Sequence, residues 1–422
     1  MIDYTTKLRK EVEVCIECGF CEAVCPTFSS SGFLPSYGAR GRIILARNLI
    51  EKNSSSKFRE LSSSFMSCLN CFACLHVCPA GVNAGAVSSY ARQLINGSTP
   101  TKGTDPLIRM ILNLTEKFEN PLGIQRQMSS WVDSSDVSFS NDSSILLYTG
   151  SMYQITPYLE RLQRMRGIMG ESLTKFFASL IARFPTLSLV FKLLRDRKSV
   201  IGYENSLASI VKLLNSSGVV PRYLGASEPY PGTLLHDLGY SENFKRYAER
   251  VTSRFKDMGI RKIITVDPHT YDLLRNIYPD YVRDFNFEVY HYLEFIDMKQ
   301  FTSSQESIVL HEPCHLVLHS SSSDFLHDVL DGICETKYPR RHGSRTECCG
   351  GPDELLFPDL SSSISRRRLK NLEDVGGSKI VTACPICETN LNLHGNVIDL
   401  ADFLVQHHNT LRFSARRPFQ RK

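Results

Sequence analysis

The sequence predicts an α plus α/β protein, in which a helical N-terminal segment with two metal-binding loops precedes two related α/β units. Three observations carry that expectation. A four-cysteine string occurs twice between Cys15 and Cys78. From about residue 144, short β-branched runs alternate with helical stretches, and the pattern repeats once. Five more cysteines gather at three places in the second repeat, and the first repeat has none of them.

The strings are Cys15, Cys18, Cys21 and Cys25 before Pro26, and Cys68, Cys71, Cys74 and Cys78 before Pro79. Both read C-x2-C-x2-C-x3-C-P, the bacterial ferredoxin spacing for [4Fe–4S] clusters. A cubane has four iron corners, each bound by a thiolate. The x2 spacings let a tight loop wrap three corners, and the fourth cysteine is expected to open the next helix. In two-cluster ferredoxins that fourth ligand serves the other cluster. This assigns Cys15, Cys18, Cys21 and Cys78 to one cube, and Cys68, Cys71, Cys74 and Cys25 to the other. Zinc sites and disulfides are the plainer readings, but zinc uses pairs of C-x2-C rather than four-cysteine runs with a trailing proline. Between the strings, Tyr37 to Ile50 spaces apolar residues at helical intervals, with the arginines expected on the opposite face. A helix there predicts a helical ferredoxin domain over residues 1–96 instead of a compact β-containing one.

Residues 97–143 are rich in Ser, Thr, Asn and Gly, contain Pro100, Pro106 and Pro121, and read as a partly helical connector. Two α/β units follow, over 144–300 and 301–422. Ile145 to Ser151 (ILLYTGS) matches Ile308 to Cys314 (IVLHEPC), and Lys262 to Thr270 (KIITVDPHT) matches Lys379 to Cys387 (KIVTACPIC). Each match holds a β-branched run suited to a buried parallel strand. Helical stretches, Tyr240 to Met258 and Leu360 to Asp374, lie between the motifs. The first unit also carries an insertion at about 162–200, apolar and aromatic, with Lys175, Arg183, Lys192, Arg195 and Arg197 and no acid from Ser172 to Leu194. Pro185 should interrupt any single helix there. Such a segment can rest on a membrane surface or accept a partner, or pack on the protein's own body.

The second unit contains Cys314, the pair Cys348-Cys349 followed by Gly350-Gly351, and Cys384-Pro-Ile-Cys387. Five thiols on three loop ends have no role in core packing. The glycines permit unusual dihedrals and close approach of the backbone to sulfur. Cys334 has no motif partner and reads as a buried free cysteine. His311 and His315 flank Cys314 and are candidates to orient a metal centre rather than to ligate it. In the first unit the five matching positions are Ser151, Tyr230, Pro231, Asp267 and Thr270. None is a thiol, so this unit is expected to be degenerate, with its fold kept and its cluster lost. Asp267 and His269 resemble an acid–base pair but sit in that degenerate loop.

With 422 residues, 42% hydrophobic and 22% charged, the chain has the makeup of a globular protein. A net charge of +5 is too small to argue for nucleic acid. The start has no apolar signal region, and no run of about 18 apolar residues suggests a membrane span. Reduced, metal-binding thiols favour a cytoplasmic location, or a peripheral one on the inner face of a membrane. No dinucleotide fingerprint, phosphate loop or nucleophile elbow is present. Hydride removal needs an organic acceptor such as flavin, so any reaction of that kind would belong to another polypeptide.

With these motifs the chain resembles the cysteine-rich, or CCG-domain, iron–sulfur oxidoreductases. The opening CIECGFCEAVCPTF…GARGRI is similar to the glycolate oxidase iron–sulfur subunit. The connector NPLGIQRQMSSW (Asn120 to Trp131) and the pattern HEPCH…ECCGG…ACPICETNL are more similar to the D-type subunit of heterodisulfide reductase. The resemblance implies a third [4Fe–4S]-type cluster, cubane or non-cubane, on Cys314, Cys348, Cys349, Cys384 and Cys387. It also implies a flavoprotein dehydrogenase partner for a 2-hydroxy acid such as glycolate or lactate, and a quinone-linked or membrane-bound acceptor. The alternative it implies is reduction of a disulfide at the CCG cluster. The degenerate first unit weakens that alternative, which expects two such sites.

Overall fold

The computed structural model describes residues 2–51, 60–97, 104–124, 131–132, 136–194, 197–320 and 324–411. Pro100, residues 125–130 of the connector motif, Arg195, and the side chains of Lys192 and Arg197 lie outside the described set.

The N-terminal part is helical, with no strand among the described residues up to 97. Helix α1 (Tyr4–Val14) starts at Asp3, whose carboxylate accepts from Thr6 N at 3.0 Å. Helix α2 spans Ala39–Glu51, and α3 (Ala84–Asn96) starts at Asn83, which accepts from Ala86 N at 3.1 Å. Both caps satisfy amides that a helix start leaves unpaired. Leu8 and Val12 of α1 meet Ile43, Ala46 and Leu49 of α2 and Val87, Ala91 and Ile95 of α3 in one small core.

One expectation fails in α2. Arg42 is not on the outer face with the other arginines; it is buried at a core position beside Ala39, Ile43 and Ala46. Its guanidinium is tolerated there because it donates to Ser64 O at 2.6 Å, Thr27 Oγ1 at 3.1 Å and Ser67 Oγ at 3.0 Å.

The connector contains a full helix, α4 (Pro106–Phe118), with Asp105 accepting from Leu107 N at 2.9 Å and proline in the first turn. Two four-stranded parallel sheets follow. The first runs β2 (Arg222–Tyr223), β1 (Ile145–Tyr148), β3 (Lys262–Thr265), β4 (Glu288–His291). The second runs β6 (Glu335–Lys337), β5 (Ser307–His311), β7 (Lys379–Thr382), β8 (Val397–Asp399). Strand order and direction are the same in both, and Leu146 pairs with Ile263 as Val309 pairs with Ile380.

Parallel neighbours require long crossovers. Helix α8 (Ser241–Asp257) joins β2 to β3, and α9 (Pro358–Glu373) joins β6 to β7. Helices α10 (Pro385–Asn392) and α11 (Leu400–His407) flank β8. The first β1-to-β2 crossover is the enlarged one. It holds α5 (Met152–Met169), α6 (Glu171–Arg183), a 3-10 segment Pro185–Leu194 and α7 (Arg197–Ser216), so the chain does break at Pro185. Ala178, Ile181 and Ala182 of α6 are buried near α4, whose Asn113 donates to Ala182 O at 2.8 Å. Leu173, Phe176, Phe177 and Leu180 stay exposed. The insertion thus packs on the body by one face and leaves the other apolar face uncovered. No described helix is long and apolar enough to cross a membrane.

Candidate metal centres

All fourteen cysteines are free thiols. Each ferredoxin-type string carries left-handed residues at equivalent places: Glu17 and Gly19 in the first, Asn70 and Phe72 in the second. Repeated left-handed residues curl a backbone into a concave nest. At a non-glycine such a conformation costs about 1 kcal/mol or more, and is kept where the surroundings hold it. Cys25 opens a one-turn helix, Pro26–Ser30, as expected of a fourth ligand. Cys78 does not; a turn intervenes before α3, and Val82 N donates to Cys78 Sγ at 3.2 Å.

Thiols of the two strings lie close to one another. Burial raises Cys21 to about 12, and the neighbouring charges of Glu22, Cys15, Cys25 and Cys78 add to it. A cavity is walled by Cys25, Cys68, Cys71 and Cys74, with Arg42 beside them. Burial would raise Cys68, but the nearby guanidinium groups of Arg42 and Arg92 hold it below its ordinary value. Arg42 Nη1 lies 3.9 Å from Cys25 Sγ. Of the three α2 arginines, Arg42 alone has a hydrogen bond to a cysteine sulfur among the described contacts. Arg47 donates to Val12 O and Cys15 O, and Arg40 to Glu17 O. Sequence reasoning missed Arg92. It is buried and donates to Phe65 O at 3.0 Å, to Cys68 O, and to Asp237 O of the first α/β unit at 2.9 Å.

In the second unit Cys314 follows β5 and Cys384 follows β7, at the carboxyl ends where open α/β sheets bind ligands. All five thiols are buried. Cys314 Sγ and Cys348 Sγ are 3.8 Å apart. Gly350 N and Gly351 N point at Cys348 Sγ and Cys349 Sγ, at 3.5 and 3.4 Å. Gly350 has φ +91°, and a Cβ there would meet Ser361 O of α9 at 2.8 Å. Cys384 caps α10, accepting from Cys387 N at 3.5 Å. Cys334 stands apart, half-buried rather than buried as expected, and faces Thr336 Oγ1 at 3.9 Å.

One ring nitrogen of His311 lies within 4.8 Å of Cys349 Sγ and Cys387 Sγ. Arg368 Nε donates to Nδ1 of His311 at 3.2 Å. Burial lowers the His311 pKa, so the ring is neutral and its proton sits on Nε2. That nitrogen can donate to a thiolate and cannot bind a metal in this tautomer.

Asp272 Oδ2 accepts from Nδ1 of both His315 and His319, each at 2.8 Å, and His319 Nε2 reaches Asn70 O at 2.7 Å. His319 also stacks on Phe72 at 3.8 Å. Both its nitrogens face oxygen atoms, and burial lowers its pKa, so only one of the two contacts carries the ring proton at neutral pH. The group ties the Cys68–Cys74 loop to the unit that carries Cys314. Burial raises Cys71, and the charge of Cys314 is its next largest influence, so the two thiols lie within electrostatic reach of each other.

In the first unit the five matching positions hold no thiol. Asp267 accepts from Thr270 N at 2.9 Å, and Gly150 lies against Thr270 Oγ1. Tyr230 is buried and Leu234 N donates to its hydroxyl at 3.2 Å. Glu228 accepts from Thr149 N and Oγ1 at 3.1 and 2.5 Å. His269 packs against His315 at 4.0 Å, and among the described contacts its ring makes no hydrogen bond to Asp267. Asp267 and His269 therefore form no acid–base pair.

Residues 11–82 match the family of 4Fe-4S dicluster domains, and residues 308–392 match the cysteine-rich domain family. The chain is 24% identical to the D-type subunit of the dihydromethanophenazine:CoB–CoM heterodisulfide reductase of Methanosarcina acetivorans, covering 90% of this chain and 88% of that one. It is 23% identical to the probable glycolate oxidase iron–sulfur subunit of Bacillus subtilis, over 93% of each. It is 22% identical to the EtfAB:quinone oxidoreductase of Syntrophomonas wolfei, over 92% of this chain and 56% of that protein.

Proposed function

A chain that joins a 4Fe-4S dicluster domain to a cysteine-rich domain is an iron–sulfur oxidoreductase component, and from that premise we propose how its thirteen motif cysteines divide the work. Cys15, Cys18, Cys21 and Cys78 would hold one cubane, and Cys68, Cys71, Cys74 and Cys25 the second. Cys314, Cys348, Cys349, Cys384 and Cys387 would hold a third [4Fe–4S]-type cluster. When bound, these groups carry single electrons, and the protein's part is to space, bury and charge them. The donor chemistry fits: thiols converge from separate loops, backbone amides and guanidinium groups face them, and none is oxidised to a disulfide.

The observation that carries the reading is the adjacency of the three thiol sets. Cys21 lies within electrostatic reach of Cys25 and Cys78, and Cys71 within reach of Cys314. The sets therefore follow one another from an open end, where Cys18 is exposed beside Ile16 and Phe20, to the buried CCG thiols. We assign residues 1–96 to the dicluster domain, 97–143 to the connector, 144–300 to a degenerate CCG unit and 301–422 to the intact one. The chain would serve a flavoprotein that oxidises a 2-hydroxy acid such as glycolate or lactate, and pass electrons towards a quinone. The exposed face of α6 would bring it to the inner surface of a membrane or to a membrane-bound partner.

Anaerobically purified protein should contain about twelve irons. A value near eight removes the CCG cluster. The heterodisulfide reductase relative favours a second reading, disulfide reduction at the CCG thiols. Turnover of a disulfide by the isolated protein with reduced dye, abolished in Cys348→Ser, would establish that reading in place of the first.

A further inference from the structure

A cavity of about 390 Å³ lies where the insertion, the connector helix and both α/β units meet. That volume is within the usual range for small-ligand sites. Its long wall is apolar: Ile155, Leu159 and Met165 of α5, and Phe177, Ala178 and Ile181 of α6. Phe177 and Val190 belong both to this wall and to the exposed apolar face of the insertion, so the cavity opens onto that face. The lining also holds buried polar groups, Arg92, His269, His315, Asp353 and Glu354. Cys68 also borders the cavity, and His315 follows Cys314 in the chain, so the cavity adjoins two of the three thiol sets.

The polar groups narrow the ligand. Arg92 is committed to the backbone carbonyls of Phe65, Met66, Cys68 and Asp237, and Arg166 donates to Leu355 O at 2.6 Å. Asp272 balances His315. An anionic head group, whether of a fatty acid or of a charged disulfide, would find no unengaged guanidinium and two carboxyls facing it. Asp353 Oδ2 and Glu354 Oε1 are buried and have no hydrogen-bond partner. Burial raises both groups, Glu354 to about 8, which favours the protonated form that can donate a hydrogen bond. A neutral acceptor with carbonyl oxygens on a flat ring and a hydrocarbon tail satisfies both kinds of lining.

We infer that this cavity binds a lipophilic quinone, with its ring at Asp353 and Glu354 and its tail along α5 and α6 towards the exposed face of the insertion. The inference rests on the electron-transfer reading above. Quinone becomes quinol by taking up two electrons and two protons, the number that oxidation of one 2-hydroxy acid by the flavoprotein releases, so the two half-reactions balance.

The test uses the full chain with its iron, under anaerobic conditions, and a decyl-tailed naphthoquinone. Binding is measured for the wild type and for Ala178→Trp and Leu159→Trp, which fill the wall from two helices. A photoreactive azido form of the same quinone is mapped by peptide mass spectrometry on the wild type, so the test does not depend on either variant folding. Labelling of peptides that contain Met165, Phe177 or Glu354, with affinity reduced about tenfold or more in either variant at unchanged iron content, supports the site. Label confined to surface residues 184–189, or affinity unchanged in both variants, overturns it. If quinone reduction by the flavoprotein-coupled protein persists in that case, the relay reading stands and the quinone binds elsewhere. If donor-reduced protein passes no electrons to any quinone, the relay to a quinone fails together with the site.

Discussion

At the end of β3 a carboxylate caps the next helix, and at the end of β7 a thiol does. Asp267 Oδ1 accepts from Thr270 N at 2.9 Å, and Cys384 Sγ accepts from Cys387 N at 3.5 Å. Both units have a left-handed glycine after their second motif, Gly232 at φ +88° and Gly350 at φ +91°. Both sheets have the same strand order. What differs is what fills the space between these landmarks. The first unit fills it with Tyr230, Thr270 and the Thr149–Glu228 pair, and the second leaves five thiols facing one another. Where His311 of β5 meets Arg368, Tyr148 of β1 packs on Phe255 at 5.2 Å. The fold needs an acceptor at the cap and a glycine at the turn, and an aspartate meets the first need as well as a cysteine does. The architecture therefore does not depend on thiols at these positions.

The sharpest way to break this comparison is to delete the two caps in turn. Cys384→Ala should lose the third cluster, lowering the iron content from about twelve to about eight by chemical assay. Asp267→Ala should leave iron unchanged and destabilise the protein by about 1 kcal/mol in denaturant unfolding. Iron loss in Asp267→Ala would mean that the first unit also serves a metal.

A smaller effect should appear with pH. Burial raises Glu228 to about 8, from an ordinary value of 4.5, and its hydrogen bonds to Thr149 only partly oppose this. The folded state then holds a proton that the unfolded state has released. The contribution of Glu228 is complete below pH 4.5 and is lost as pH rises through about 8. Glu228→Gln should flatten the fall in melting temperature across that interval. The flattening is partial, because Glu354 and Asp399, raised to about 8 and 7, titrate in the same direction.

The smallest effect tests the pair on the first strands. His311→Phe gives β5 an aromatic side chain at the place where β1 has Tyr148. With the Nε2 proton gone, extra negative charge on the reduced centre at Cys349 is less well stabilised. The potential should become more negative, by roughly tens of millivolts in an anaerobic titration, with iron content unaltered. An unchanged potential would make His311 a packing residue, as Tyr148 is.

Much of the site was legible before the fold, and for a local reason. Cysteines three residues apart lie in one loop whatever the rest of the chain does, so their spacing announces a shared metal. The strand motifs were legible because β-branched runs flanked by helical stretches repeat at matching offsets. Arg42 was misplaced because helical periodicity places polar residues outside. It cannot register that Ser64, Thr27, Ser67 and a cysteine sulfur wait within the core. Arg92 and the Asp272–His315–His319 group had no signal, since their partners come from distant segments.

By itself the sequence determined which thiols share a loop, because covalent spacing limits how far apart neighbouring thiols can be. Only the tertiary structure decided that Cys71 lies within electrostatic reach of Cys314, that the insertion roofs a cavity lined by Asp353 and Glu354, and that His311 presents a proton rather than a lone pair. Those relations depend on how separate helices and sheets pack, and packing is a property of contacts that no local spacing encodes.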